Sequence, residues 1–188
     1  MNSPSPIQNI FLIGPMGSGK TSLGRRVAPA LGLEFIDLDE ELERRCGVEV
    51  AVIFEIEGES GFRERERDLL AEVASRSGQL IATGGGSVLD RRNREVIRER
   101  GCAVWLRTSV EQQLRRLERD RRRPLLAAPD RRDRLTRMAE QRNPLYSEVA
   151  DLVFESQNRP MPVMANVLEN KIRKFLNRVQ PDAMDANR

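Results

Sequence analysis

The segment Gly14-Pro15-Met16-Gly17-Ser18-Gly19-Lys20-Thr21 fits G-x-x-x-x-G-K-[ST] at every position. Glycines at these places let the backbone curl until its N–H groups converge on phosphate oxygens beside a helix N-terminus. Lys20 is then placed to reach β- and γ-phosphates, and the Thr21 hydroxyl to ligate Mg²⁺. The implied chemistry is the binding of a nucleoside triphosphate, with Gly17, Ser18, Gly19, Lys20, Thr21 and Ser22 as candidate contacts. A phosphate loop alone does not separate kinases from GTPases or motor ATPases. The sequence has no Asn-Lys-x-Asp guanine motif, and 188 residues leave no room for the extra domains of a large ATPase. A small kinase fits best.

Composition narrows the remaining chemistry. The chain has no histidine, which removes Ser-His-Asp and Cys-His triads, histidine metal sites and any histidine base. Two cysteines, Cys46 and Cys102, make neither a disulfide framework nor a four-thiolate site, so a reducing cytoplasm is the expected compartment. No apolar run approaches the roughly 20 residues of a membrane span, and the polar N-terminus does not read as a signal peptide. Catalysis must rest on carboxylates, Arg, Lys, backbone amides and a bound metal. The net charge of +3 is unevenly spread: between Arg115 and Arg137 ten arginines face only Glu118, Asp120, Asp130 and Asp133. Such a block suits a polyanion, either a nucleic acid or a nucleotide's phosphates. Aromatic residues for base stacking are nearly absent from it, which disfavours nucleic acid.

The phosphate loop needs a strand before it and a helix after it, and the sequence supplies both. Strands are expected at residues 9–13, 34–37, 79–83, 102–106 and 151–155. Helices are expected at 20–31, 39–45, 48–57, 60–77, 91–100, 109–120, 132–142, 145–150 and 162–179. Gly32, Gly58 and Gly101 serve as stops, and Ser109 with Gln112 as a capping box. Residues 121–130, with Pro124 and Pro129, read as a loop. Alternating strands and helices indicate an α/β fold of three layers, a five-stranded parallel sheet covered on both faces. Ligands bind such sheets at the carboxyl ends of the strands, where the Gly-rich segments fall. One domain is expected over residues 9–179, with flexible ends at 1–8 and 180–188.

Five further segments follow the phosphate loop in order: Asp37-Leu38-Asp39, Gly61-Phe62-Arg63-Glu64-Arg65-Glu66, Thr83-Gly84-Gly85-Gly86, Arg123-Pro124-Leu125-Leu126 and Arg142-Asn143-Pro144-Leu145-Tyr146. With the phosphate loop, this set resembles shikimate kinase of the bacterial monofunctional kind, from about Asn9 to Phe175. The resemblance implies a fold like that of nucleoside monophosphate kinases with a mobile lid over residues 121–131. It also implies a monomer that phosphorylates shikimate with ATP and Mg²⁺ and has no nucleic-acid or membrane partner.

Residue by residue, it implies that Asp39 holds the shikimate hydroxyls, including the one phosphorylated, and that Asp37 holds Mg²⁺ through water. Asp37 also fits a helix N-terminal acid, and Asp39 a helix cap. Arg63 and Arg142 match the two arginines that hold shikimate, whose carboxylate suits a bidentate guanidinium grip. Glu66, one helical turn from Arg63, is placed to pair with it. Gly85 matches a direct amide contact, and the three glycines would let the backbone approach the ligand. Arg123 matches the lid arginine over ATP, and Arg159 the contact at its adenine end. The chain departs from the Walker-B pattern, because Thr83-Gly84 stands where an acid would close the strand. A gluconate-kinase-like enzyme and a nucleotide-dependent nucleic-acid-binding protein are the rival readings.

Overall fold

The computed structural model describes residues 9–117, 130–155 and 159–179. Strands β1 (Asn9–Ile13), β2 (Glu34–Asp37), β3 (Gln79–Ala82), β4 (Gly101–Arg107) and β5 (Leu152–Glu155) form one sheet in the order β2-β3-β1-β4-β5. Every pairing in it is parallel. The helices are α1 (Lys20–Ala30), α2 (Leu38–Cys46), α3 (Val50–Ala74), α4 (Arg91–Arg100), α5 (Val110–Leu117), α6 (Arg131–Val149) and α7 (Met161–Val179). A 3₁₀ turn, Ser87–Leu89, precedes α4.

The apolar runs of β1, β3 and β4 are explained by burial on both faces. Alternate side chains separate into two cores. Phe11, Ile13, Ile81 and Trp105 pack with Leu70 of α3, Ile97 of α4 and Tyr146 of α6. Ile10, Leu12, Leu80 and Val104 pack with Leu23 of α1 and Leu168 and Ile172 of α7. This is the expected three-layer architecture, and it gives the sheet two independent reasons to keep its register. At the amino ends of the strands, Asn9 Nδ2 donates to Ala74 O and Arg76 O, and Asn9 Oδ1 accepts from Gln79 N.

The order of strands matters for function. β1 lies between β3 and β4, so the loops leaving β1 and β3 emerge side by side at one sheet edge. The pairing of Leu12 with Ala82 continues past the strand ends, where Thr83 N and Oγ1 both donate to Leu12 O. The Gly-rich turn after β3 is therefore fixed against the phosphate loop.

Three details differ from the sequence-based expectation. Residues 131–149 form one helix rather than two, running straight through Pro144. A proline there removes one helical hydrogen bond. The helix persists because Arg142 and Tyr146 on either side are buried and both donate to Gly85 O. The cap of α2 is Asp37 rather than Asp39: Asp37 Oδ1 accepts from Asp39 N at 3.0 Å and Glu40 N at 3.3 Å. The helix expected to reach residue 77 ends at Ala74. The break at Gly58 stands as expected, since its backbone (φ 70°, ψ −178°) is not helical. So does the capping box, in which Gln112 N donates to Ser109 Oγ and Ser109 N to Gln112 Oε1. The lid expected at residues 121–131 falls mostly outside the described residues, and so do both termini. No described helix is long and apolar enough to cross a membrane.

The two thiols sit in contrasting surroundings. Cys102 on β4 is buried, and burial, reinforced by Asp151, pushes its thiol up to about 12. Cys46 is half-exposed at the end of α2. Thiolate is the reactive form. Ellman's reagent at pH 8 is therefore expected to titrate one thiol in the native protein and two after unfolding; two fast-reacting native thiols would contradict the core packing around β4.

Candidate active site

The phosphate loop connects β1 to α1, and its shape follows from its own sequence. Gly19 stands at φ +92° as the cap residue of α1, a left-handed conformation that favours glycine. No side chain caps this helix and no acid occupies its first turn, so its amides are directed at the loop's concavity. Lys20 is buried and curls back over the loop: its Nζ donates to Gly14 O at 2.7 Å and Pro15 O at 3.0 Å. Thr21 Oγ1 donates to Asp37 Oδ2 at 2.6 Å across the gap between β1 and β2. Asp37 thus caps α2 with one oxygen and meets Thr21 with the other, so capping leaves its second oxygen facing Thr21. Among the described residues no three His, Cys, Asp or Glu side chains cluster to cage a metal. The Thr21–Asp37 pair suits Mg²⁺ instead, which binds through one or two protein oxygens and takes its other ligands from phosphates and water.

A cavity of about 430 Å³ opens above this loop. Residues 17–22, including Ser22, line its floor, and Asp37, Asp39, Gly85, Arg116 and Arg159 line its walls. Arg159 stands at the far end beside α7. Arg123 lies outside the described residues. Arg116 is a wall residue that belongs to the basic block but is not among the expected site residues. Its Nη1 donates to Gly17 O at 3.0 Å, and burial lowers its guanidinium from the ordinary value. The available signal was its place on α5, between the buried Gln113 and Leu117.

Opposite the loop stands the turn Thr83–Gly86, on which the acceptor-side residues converge. Gly85 comes close to the phosphate loop: a Cβ there would lie 3.3 Å from Met16 N. Gly84 and Gly86 correct the expectation that three glycines clear space for a ligand. A Cβ at Gly84 would overlap Glu66 Oε1 and approach Asp39 Oδ1 at 3.4 Å, while one at Gly86 would overlap the Arg63 guanidinium. These glycines make room for protein side chains.

The two arginines are held differently. Arg63 Nη1 donates to Glu66 Oε2 at 2.7 Å, as their spacing suggests, and Glu66 is only 2% exposed. Ser87 Oγ donates to the other oxygen, Glu66 Oε1, at 2.5 Å. Arg142 Nη1 donates to Gly85 O at 3.2 Å, and Tyr146 Oη donates to the same carbonyl at 2.5 Å. Burial pushes the Tyr146 phenol above its ordinary value and keeps it a donor. The roles of Ser87 and Tyr146 escaped sequence reasoning; the only signal was that Tyr146 follows Arg142 by one turn and Ser87 follows Gly86.

Buried Nε atoms of both Arg63 and Arg142 have no partner. Among the described residues, moreover, Arg142 donates to a neutral carbonyl and pairs with no carboxylate. Buried cations are costly unless an anion compensates them. Arg142 thus lacks a compensating anion among the described residues, while Arg63 is paired with Glu66 and Glu59 and keeps only its Nε unsatisfied.

The comparisons agree with this geometry. Residues 16–177 match the model of the shikimate kinase family. A shikimate kinase from Bordetella avium is 54% identical over 166 residues, 88% of this chain and 79% of that protein. A shikimate kinase from Acinetobacter baumannii, solved in complex with shikimate, superposes with a TM-score of 0.85 at 44% identity over 93% of this chain and 95% of that one. A gluconokinase from Sinorhizobium meliloti covers the whole of both chains at only 17% identity and a TM-score of 0.52, and shares the fold alone. In sequence and in fold, this chain belongs to the shikimate kinase family.

Proposed function

We propose that the protein transfers the γ-phosphoryl group of ATP to the 3-hydroxyl of shikimate, giving ADP and shikimate 3-phosphate. The observation that carries this reading is the juxtaposition of an uncapped phosphate loop with Arg142, a buried guanidinium that pairs with no carboxylate among the described residues, and Arg63, whose buried Nε has no partner. The amides of residues 17–22 receive the phosphates. Lys20 swings from the loop carbonyls to the β- and γ-oxygens, exchanging neutral acceptors for charged ones. Thr21 and Asp37 hold Mg²⁺, which when bound neutralises charge on those oxygens. Arg116 and Arg159 flank the nucleotide along the cavity wall, and Arg123 closes over it from the lid.

On the acceptor side, Arg63 and Arg142 grip the carboxylate of shikimate and Gly85 adds its amide. Asp39 accepts the hydrogen bond of the 3-hydroxyl, orients it toward the γ-phosphorus and takes its proton. It lines the same cavity as the loop, while Asp37 is committed to Thr21 and two amides. With no histidine in the chain, a carboxylate is the natural base. All of these groups come from one chain, so a monomer suffices. The two free thiols fit a reducing cytoplasm.

Gluconate also carries a carboxylate, so the arginines alone do not separate it from shikimate. The reading is supported over a gluconate-kinase-like one by the family match, since the gluconokinase shares only the fold at 17% identity. For the basic block, five of the six described arginines have local partners: Arg132 pairs with Glu111, Arg134 and Arg137 with Asp130, and Arg116 and Arg131 bind backbone carbonyls. This supports a structural and nucleotide-facing role over a nucleic-acid groove.

Two variants test the assignment. Lys20→Ala should reduce turnover by about a thousandfold or more, on the scale of losing a positioned transition-state cation; near-wild-type turnover would remove the phosphate loop from the mechanism. Arg63→Ala should raise the shikimate KM by about tenfold or more while the ATP KM stays within twofold, since a buried charge-assisted contact is lost on one side only. Equal loss for both substrates would place Arg63 outside the acceptor site.

A further inference from the structure

Ser87 does not line the cavity, yet it is fully buried and directs its hydroxyl at Glu66, the buried and nearer of the two carboxylates that pair with Arg63, the other being the exposed Glu59 at 3.4 Å. Its own position is set by the backbone. Ser87 N donates to Gly84 O at 3.2 Å, and the buried Asn93 Nδ2 donates to Ser87 O at 2.9 Å. The rest of the 3₁₀ turn is clamped by Arg94, whose Nη1 donates to Val88 O and Leu89 O. The hydroxyl therefore starts from a fixed point, tied through Gly84 to the turn that also carries Gly85.

We infer that Ser87 is a positioning residue for recognition of the acceptor's carboxylate, acting through Glu66 on Arg63. This rests on the acceptor reading given above. Glu66 has two oxygens and two donors: Ser87 takes Oε1 and Arg63 Nη1 takes Oε2. With Oε1 turned to the Ser87 hydroxyl, the carboxylate is oriented to meet the guanidinium through Oε2 alone rather than side-on with both oxygens. Nη2 makes only a long contact to the exposed Glu59 at 3.4 Å, and the buried Nε has no partner, which leaves that edge for an incoming anion. Without the hydroxyl, Oε1 is a buried charged oxygen lacking a donor. The way to satisfy it is to turn Glu66 toward bidentate pairing with Arg63, which withdraws the guanidinium edge from the ligand.

The test is steady-state kinetics of Ser87→Ala. The shikimate KM should rise about five- to twentyfold, at or below the low end of the loss expected for one hydrogen bond to a charged group because Ser87 acts through Glu66, with the ATP KM within twofold. The role through Arg63 is isolated by a double-mutant cycle. In an Arg63→Ala background, adding Ser87→Ala should change kcat/KM for shikimate less than about twofold. If Ser87→Ala melts below the assay temperature, Ser87→Cys replaces it, filling similar space with a poor donor. An unchanged shikimate KM, or the same fold loss with and without Arg63, would overturn the inference. Wild-type protein that releases no ADP in response to shikimate would overturn the acceptor reading itself, whereas normal wild-type turnover with an unaffected Ser87→Ala variant overturns only the role of Ser87.

Discussion

The carbonyl oxygen of Gly85 is the fixed point of the acceptor side. Tyr146 and Arg142, one turn apart on α6, both donate to it. The phenol is kept protonated by burial and stacked on Trp105 of β4 at a centroid separation of 5.7 Å. One oxygen thus ties the Gly-rich turn, the substrate-facing arginine and the central sheet into a single unit. The same bonds explain why α6 runs unbroken across Pro144. Around that point Gly84 seats Glu66 and Gly86 seats Arg63, so each glycine of the triplet answers to a particular side chain or to the phosphate loop.

The parallel sheet brings this turn to the nucleotide. Because β1 and β3 are neighbours in register, the phosphate loop and the turn 83–86 leave the sheet at one height and touch. Asp37 ends β2 on the outer side of β3 and reaches Thr21 at the start of α1. Three strand ends therefore bring the phosphate loop, the Thr21–Asp37 oxygen pair and the turn held by Arg142 to one edge of the sheet. Phosphoryl transfer asks little covalent chemistry of the protein; it asks for positioning and charge complementarity. A site built on strand ends and helix N-termini supplies both without a histidine.

Much of this was legible in the sequence where the interaction is local. The phosphate loop is eight consecutive residues, Arg63 and Glu66 are one helical turn apart, and the Ser109–Gln112 capping box closes over four residues. Interactions between distant segments were not legible. Ser87 meets Glu66 across 21 residues, Arg142 meets Gly85 across 57, and Arg116 meets Gly17 across 99. No local propensity encodes such contacts. Pro144 misled for the same reason: its local cost argues for a break, and only tertiary bonds hold the helix through it. The glycine triplet was singled out as special but explained by a ligand, when Gly84 and Gly86 face side chains of α3 and Gly85 faces the phosphate loop.

The central claim is that one cleft couples a triphosphate site to a receptor for a carboxylated acceptor. The measurement that tests it most directly is the initial rate of ADP release by purified protein at saturating Mg-ATP, with and without shikimate. The account predicts strong, saturable stimulation by shikimate, with phosphate recovered on its 3-hydroxyl. Slow ADP release unchanged by shikimate would contradict it.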